Sequence, residues 1–168
     1  MTSEGRAWKF GDDINTDLII PGRYLNSYDP AHLAKHAMEG ASKDFAGKVS
    51  KGDIIIAGEN FGCGSSREQA VTAIMHAGIV AVVARSFARI FYRNSINLGL
   101  PVIVSDDAVS VFEDGDEISL DWMHGFLASH DGSRKADLQR IPDQARGILE
   151  NGGLVPHIKA QLRRRHSS

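Results

Sequence analysis

A glycine-rich segment at residues 58–70, GENFGCGSSREQA, holds the residue types most able to do chemistry. It follows a β-branched run and precedes apolar residues at helical spacing, which predicts a turn from a strand into a helix. Such a turn presents free backbone N–H groups and the positive end of a helix dipole, and both attract an anion. The guanidinium of Arg67 suits a carboxylate, and the hydroxyls of Ser65 and Ser66 can donate to the same ligand. The segment therefore predicts a binding site for a small anion.

The same spacing is also compatible with a purely structural role. Ser65 and Glu68 have the spacing of a capping box, in which the serine only closes the start of the helix. Gly62 and Gly64 could serve only to allow positive φ angles. The turn is not a phosphate loop, because no lysine follows the last glycine, and it lacks the three-glycine dinucleotide fingerprint. From the residues alone, the anion-binding and the structural interpretations both remain open.

Metal chemistry finds little support in the sequence. Residues 11–17, GDDINTD, are rich in carboxylates but lack the EF-hand spacing, which favours an Asx-rich turn joining two strands. His32 and His36 stand four residues apart with no third ligand nearby, so a solvated helix face is the favoured interpretation. The one cysteine, Cys63, cannot hold a metal cluster alone and is expected to be a small packed residue. We therefore expect no metal ligand in this chain.

The segments around the glycine-rich turn alternate between strands and helices. Continuous apolar runs predict strands buried on both faces, and apolar residues at helical spacing predict the helices between them. In chain order these are strand 53–57, helix 66–77, strand 79–84, helix 86–98 and strand 101–104. This order is typical of a mainly parallel sheet with right-handed crossovers. A strand at 7–10 and a helix at 31–38, capped by Asp29, precede it.

The last third of the chain has a different pattern. Short apolar runs divided by charged turns predict a small antiparallel addition to the sheet, at 109–112, 118–120 and 125–128. A helix is predicted at 142–150, and the basic tail at 163–168 is expected to be a frayed, solvated terminus. Together these elements predict an α/β fold.

Length and composition set further limits. The 168 residues suit one domain, 1–168, and 42% hydrophobic with 24% charged residues is a globular balance that excludes a disordered chain. A net charge of −2 gives no general attraction to nucleic acid or anionic membranes. No apolar run has the length of a membrane span or a signal peptide. We expect a cytoplasmic protein that binds neither nucleic acid nor a membrane.

Several long motifs resemble a known family. GDDINTDLIIP at 11–21 and GCGSSRE at 62–68, followed by ARSFARIF at 84–91 and NSINLGLP at 94–101, resemble the small subunits of 3-isopropylmalate dehydratases in their compact archaeal-type form. These subunits are similar to the swivelling β/β/α domain of aconitase. The resemblance covers nearly the whole chain. It implies one subunit of a hydro-lyase of leucine biosynthesis, which isomerises 2-isopropylmalate and 3-isopropylmalate by dehydration and rehydration.

The resemblance also implies a shared active site. In this family a separate large subunit holds a 4Fe–4S cluster on three cysteines, and the small subunit closes over it in a heterodimer or heterotetramer. This chain would bind no cofactor itself. By motif position, Ser65 would remove the proton next to a carboxylate, while Ser66 and Arg67 would bind a substrate carboxylate. Asp17 and Thr16 would support these residues through hydrogen bonds.

The resemblance further implies that the loop after Pro21 chooses the substrate. Relatives that bind a tricarboxylate such as homoaconitate carry an arginine where this chain has Asn26, and relatives specific for isopropylmalate present apolar residues there. Asn26, a candidate substrate-binding residue, and Ser27 match neither pattern. The missing arginine favours isopropylmalate, followed by citramalate or dimethylmalate, over homoaconitate. A non-catalytic module that only holds an anion at residues 62–67 is the alternative from another class.

Overall fold

The structure, a computed structural model, describes residues 2–167 and places seven strands in one mixed sheet. The strands are β1 (Thr2–Lys9), β2 (Ile54–Ala57), β3 (Ala81–Ala84), β4 (Val102–Val104), β5 (Glu117–Asp121), β6 (Phe126–Ser129) and β7 (Lys135–Asp137). Their order across the sheet is β4-β3-β2-β1-β5-β6-β7. Strands β1 to β4 are parallel, and β5 to β7 are added in antiparallel pairs. The predicted α/β fold with parallel and antiparallel parts is confirmed.

Strand β1 joins the parallel and antiparallel halves of the sheet. Its residues Ala7, Trp8 and Lys9 pair in parallel with β2, whereas its first five residues pair antiparallel with β5. The buried carboxylate of Asp53, just before β2, accepts hydrogen bonds from the Arg6 backbone N–H and the Trp8 indole N–H, both at 2.9 Å. The start of β2 is thereby fixed against the middle of β1.

Eight α-helices connect or cover these strands within the described residues. They are α1 (Thr16–Ile19), α2 (Pro30–Ala34), α3 (Phe45–Lys48), α4 (Glu68–Ala77), α5 (Arg89–Leu98), α6 (Asp106–Val111), α7 (Asp143–Glu150) and α8 (Leu154–His166). Helix α4 packs against α2 and α5, α7 and α8 pack against α5, and α6 contacts β2, β3 and β7. Every residue of β2 and β3 is buried, as their unbroken apolar runs predict. No helix of residues 2–167 is both long and apolar enough to cross a membrane.

Residues 109–112, predicted as a strand, lie mostly in helix α6. The helix begins at Ser105, whose Oγ accepts a hydrogen bond from the Ala108 N–H at 3.1 Å, and its first turn carries Asp106 and Asp107. A serine cap and acidic residues at the start of a helix outweigh the strand preference of the valines that follow. The sequence does not predict β7, because three residues are too few to show an apolar alternation.

The ends of several other elements differ from the predictions. The basic tail is helical as far as His166, because cations in the last turn of α8 interact favourably with the helix dipole; Ser168 lies outside the described residues. The segment 31–38 is helical only to Ala34, and Met38 adopts a φ of +59°. The carboxylate-rich turn at 11–17 leads into the short helix α1 rather than into a second strand, since Asn15 caps that helix.

Candidate active site

Two loops are joined by backbone hydrogen bonds at the carboxyl ends of β1 and β2. This is the edge where open α/β sheets bind ligands. The Gly62 N–H donates to the Ile14 carbonyl at 2.7 Å, and the Thr16 N–H donates to the Cys63 carbonyl at 2.8 Å. Backbone bonds of this kind fix one loop against the other. The carboxylate-rich turn and the glycine-rich turn, far apart in sequence, therefore form one unit.

The loop after β3 is a third segment that packs against this unit. The Phe61 N–H donates to the Ser86 carbonyl at 3.1 Å, and the Ala88 N–H donates to the Phe61 carbonyl at 3.0 Å. The Ser86 hydroxyl accepts a further bond from the Asn60 N–H at 2.7 Å. Helix α5 begins directly after this loop, so its first turn is held beside the glycine-rich turn.

Two glycines make this close approach possible. Gly62 has a φ of +82°, and a Cβ there would lie 2.1 Å from Cγ of Phe91. Gly64 has a φ of +97°, and its Cβ would lie 3.3 Å from Oγ1 of Thr16. Glycine is required at residue 62 both for its backbone conformation and for space against α5. The prediction that Gly62 and Gly64 allow positive φ angles is confirmed.

A cavity of about 200 Å³ opens between the glycine-rich turn and the first turns of α5. One side is formed by Thr16, Gly62, Gly64, Ser65, Ser66 and Arg67, and the other by Ala88, Arg89, Ile90, Phe91 and Asn94. The sequence analysis does not place the α5 residues at the site. One signal could have found them, because the loop after β3 must end at the same sheet edge as the loop after β2.

The two serines present free hydroxyls at this cavity. Ser65 and Ser66 are exposed, and neither hydroxyl makes a hydrogen bond within residues 2–167. Helix α4 begins at Glu68, later than the predicted residue 66, and its N-cap is Arg67 with no side-chain capping bond. The capping-box interpretation of Ser65 is therefore wrong, because the helix starts too late for the serine to reach its first turn. Both hydroxyls remain available to a ligand.

Arg67 is anchored by one of its nitrogens. Its Nη1 lies 3.2 Å from Oδ1 of Asp17 and 3.2 Å from the Ile20 carbonyl oxygen. Nε and Nη2 have no hydrogen-bond partner in the part of the chain that the structure describes. The guanidinium therefore keeps the pair of parallel donors that a carboxylate accepts side by side.

Asp17 is the acceptor that orients this arginine. The Arg67 hydrogen bond, followed by that from the Gly22 N–H at 3.1 Å, lowers the pKa of the Asp17 carboxyl. The carboxylate is therefore charged near neutral pH and holds Nη1 in place. Thr16 is buried beside it at the cavity wall, and its backbone N–H is the donor to Cys63 described above. Cys63 is a free, half-buried thiol.

Asn26 is not part of the cavity wall. It lies exposed in the loop between the 3-10 turn Gly22–Tyr24 and helix α2. The preceding carbonyl, of Leu25, accepts a hydrogen bond from Nε2 of Gln69 at 3.2 Å. The structure thus brings five of the six predicted site residues together, namely Thr16, Asp17, Ser65, Ser66 and Arg67, and leaves Asn26 beside them.

The histidine pair does not form a solvated helix face. His36 stacks on the Tyr24 ring with centroids 3.7 Å apart, and its Nδ1 lies 2.8 Å from Oε2 of Glu39. Within residues 2–167 there is no group of three or more His, Cys, Asp or Glu side chains that could hold a metal ion. The residues of this chain therefore do not fit a 4Fe–4S cluster, which needs several cysteine thiolates.

Comparison with known proteins identifies relatives over almost the full length. The sequence profile of the family described as Aconitase C-terminal domain matches residues 9–107. A 3-isopropylmalate dehydratase small subunit 1 from Methanopyrus kandleri is 55% identical, over 94% of this chain and 92% of that protein. A methanogen homoaconitase small subunit from Methanothermobacter thermautotrophicus is 54% identical, over 91% of this chain and 88% of that protein.

One solved structure has the same fold. The crystal structure of 3-isopropylmalate dehydratase from Methanocaldococcus jannaschii superposes with a TM-score of 0.93 at 47% identity, covering 99% of both chains. At this level of identity the likeness extends beyond the fold to the sequence.

Proposed function

Because the chain belongs to the aconitase C-terminal domain family, as a small subunit of the 3-isopropylmalate dehydratase group of hydro-lyases, we propose that it acts with a large subunit on 2-isopropylmalate. The complex would remove water from 2-isopropylmalate and add it back with the hydroxyl group on the neighbouring carbon. The product is 3-isopropylmalate, and the reaction is a step of leucine biosynthesis. This chain would supply Arg67, which binds a substrate carboxylate, and Ser65, which removes the proton next to a carboxylate.

The free face of Arg67 is the observation that carries this proposal. A 2-hydroxy dicarboxylate needs a receptor for each carboxylate, and Nε with Nη2 offers a bidentate one at the cavity. Asp17 fixes the guanidinium through Nη1, so the free edge is held ready for the ligand. A non-catalytic module that only holds an anion would need no more than this arginine. The exposed hydroxyls of Ser65 and Ser66 beside it support a catalytic role in addition to binding.

Ser65 is the proposed base. Its hydroxyl is exposed at the cavity, does not cap α4 and has no partner within the described residues. A free serine hydroxyl is a weak base, because its alkoxide is unstable in water. The start of α4 and the cation of Arg67 would stabilise the alkoxide, and exclusion of water when the partner closes the cavity would strengthen both effects. Ser66, next to it, would donate to the substrate carboxylate.

The partner is proposed to carry the iron–sulfur cluster. Cys63 is the one cysteine of the chain, and the described residues contain no cluster of metal-binding side chains. The cysteine ligands would therefore come from the large subunit that the small-subunit names of the relatives imply. In this arrangement the isolated chain is inactive, and the cavity between α4 and α5 is completed by the partner surface.

Co-expression with the large subunit tests the proposal. After anaerobic cluster reconstitution, the complex should convert 2-isopropylmalate to 3-isopropylmalate, with an alkene intermediate that absorbs in the ultraviolet. The isolated chain and the isolated large subunit are the controls and should show no turnover. A reconstituted complex that binds isopropylmalate without isomerising it would favour the non-catalytic anion-binding module.

Homoaconitate is a second candidate substrate. The relative from Methanothermobacter thermautotrophicus is named a homoaconitase subunit and is 54% identical, close to the 55% of the dehydratase from Methanopyrus kandleri. Asn26 argues against it, because an asparagine offers no charge to pair with a third carboxylate. The same complex assayed for hydration of homoaconitate decides between them, with the larger kcat/KM identifying the substrate.

A further inference from the structure

The Glu39 carboxylate binds side chains of the loop that follows α1. Its Oε1 accepts a hydrogen bond from the Tyr24 hydroxyl at 2.8 Å and pairs with Nη2 of Arg23. Its Oε2 lies 2.8 Å from Nδ1 of His36, the ring that stacks on Tyr24. The Glu39 side chain is 25% exposed, so these contacts are only partly screened by water. One carboxylate thus contacts the side chains of both Arg23 and Tyr24 in the 3-10 turn.

The backbone around Glu39 is attached to the helix that carries Asp17. The Met38 N–H donates to the Ile19 carbonyl at 2.7 Å, and the Gly40 N–H donates to the Leu18 carbonyl at 3.1 Å. These two bonds flank residue 39, so the position of its carboxylate is set relative to α1. The contacts of Glu39 therefore connect the loop, through the backbone of α1, to the helix that carries Asp17.

Gln69 holds the same loop from the other side. It lies in the first turn of α4, two residues after Arg67, and its Nε2 donates to the Leu25 carbonyl at 3.2 Å. That carbonyl belongs to the peptide unit that leads to Asn26. Fixing its direction fixes where the Asn26 Cα lies, since a peptide unit is planar.

We propose that Glu39 and Gln69 are positioning residues. They hold the loop of residues 22–29 at a fixed position relative to Arg67, so that the loop can discriminate between substrates. The role in discrimination rests on the proposed function of the site, whereas the holding of the loop rests on the contacts alone. Neither side chain lies on the cavity wall, so neither touches the substrate there. Their effect would pass through Asn26 and its neighbours.

Two measurements on the full chain test this. Hydrogen exchange of the isolated chain reports loop order without any turnover. In Glu39→Gln and in Gln69→Met, the hydrogen-bonded amides of Gly22, Tyr24 and Leu25 should exchange about tenfold faster. Glu39→Gln loses the negative charge that pairs with Arg23 and the second carboxylate oxygen that faces His36, and Gln69→Met loses the bond to the Leu25 carbonyl. Tyr24→Phe keeps the ring stack and removes one bond to Glu39, so it should give a smaller acceleration. Glu150→Gln, an exposed carboxylate on α7, is the matched control and should leave the loop unchanged.

The second measurement uses the complex with the large subunit. The ratio of kcat/KM for isopropylmalate to that for homoaconitate should move several-fold in Glu39→Gln and Gln69→Met, mainly through KM. Unchanged loop exchange in both variants overturns the proposal, and so does a loosened loop with an unchanged ratio. A wild-type complex that turns over neither substrate refutes the proposed function and the role in discrimination, and the exchange result then decides the positioning role alone.

Discussion

The carboxylate of Asp17 and the guanidinium of Arg67, fifty residues apart in sequence, lie 3.2 Å apart, and the arginine lines the cavity. The arginine side chain is 18% exposed and the aspartate 68%, so the cation is the more enclosed partner. An ion pair this accessible adds little to stability. Its consequence is orientation, because Nη1 is bound to Asp17 and to the Ile20 carbonyl, while Nε and Nη2 have no hydrogen-bond partner among residues 2–167.

The pH dependence of this pair is the first prediction. The Arg67 hydrogen bond lowers the pKa of Asp17, so the pairing is fully formed above the ordinary carboxyl pKa and is lost as pH falls through the lowered value. Carbon-13 NMR of the Asp17 carboxyl should show titration below the ordinary range in wild type. Arg67→Met should move the titration upward. Identical titration curves in the two proteins would show that Arg67 does not interact with Asp17 in solution.

Arg67→Lys is expected to weaken substrate binding. A lysine ammonium cannot contact Asp17 and grip a carboxylate with two parallel donors at once, so KM should rise by about tenfold or more with a smaller change in kcat. Steady-state kinetics of the reconstituted complex measure both constants. Arg93→Lys, on the exposed part of α5 away from this cavity, is the control and should behave as wild type. A fall in kcat at constant KM would show that Arg67 does not bind the substrate carboxylate and contributes to the chemical step alone.

Ser65→Ala separates the proposed base from a structural serine. Turnover should fall by about a thousandfold with substrate binding retained, since the variant removes only the group that takes the proton. Because the Ser65 hydroxyl has no partner in the described structure and caps no helix, the free energy of unfolding should change by less than about 0.5 kcal/mol.

Urea denaturation and single-turnover kinetics check the two halves of this prediction. A loss of about 1 kcal/mol in stability, typical of a removed helix cap, would restore the capping interpretation. Near wild-type kcat would move the proton transfer elsewhere, and Ser66→Ala, which alters the neighbouring free hydroxyl, would then be the variant to compare.

The residues of the candidate site were easier to predict than the surfaces that enclose it. Ser65, Ser66 and Arg67 follow one another in a single motif, and the need for free backbone donors before a helix is a local property. Arg89 and Asn94 reach the cavity only because β3 lies beside β2, a tertiary relationship that their own spacing does not reveal. The placement of Ser105 shows the same limit at the level of an element, since one hydroxyl cap turns a valine-rich run into helix α6.

Gly62 offers a test of how tightly the loop and α5 are packed. A methyl group at residue 62 would lie 2.1 Å from Cγ of Phe91 in a backbone with a φ of +82°, so strain and overlap combine. Gly62→Ala should lower the free energy of unfolding by about 2–4 kcal/mol. Gly47→Ala is the matched control, because a Cβ there meets nothing within 4 Å in helix α3, and it should be neutral or slightly stabilising. Equal denaturation midpoints would contradict the packing described here.

The last prediction concerns Asn26, in the loop held by Gln69. If residue 26 faces the variable group of the substrate once the partner closes the site, Asn26→Arg should raise kcat/KM for homoaconitate relative to isopropylmalate, because an extra carboxylate no longer enters unpaired. Asn26→Val should favour isopropylmalate by about 1–3 kcal/mol through contact with its alkyl group. Gln144→Arg adds the same charge on exposed α7 and should leave the ratio unchanged. The same ratio in wild type and both Asn26 variants would show that the loop does not reach the substrate, and specificity would then have to lie on the cavity wall formed by α5.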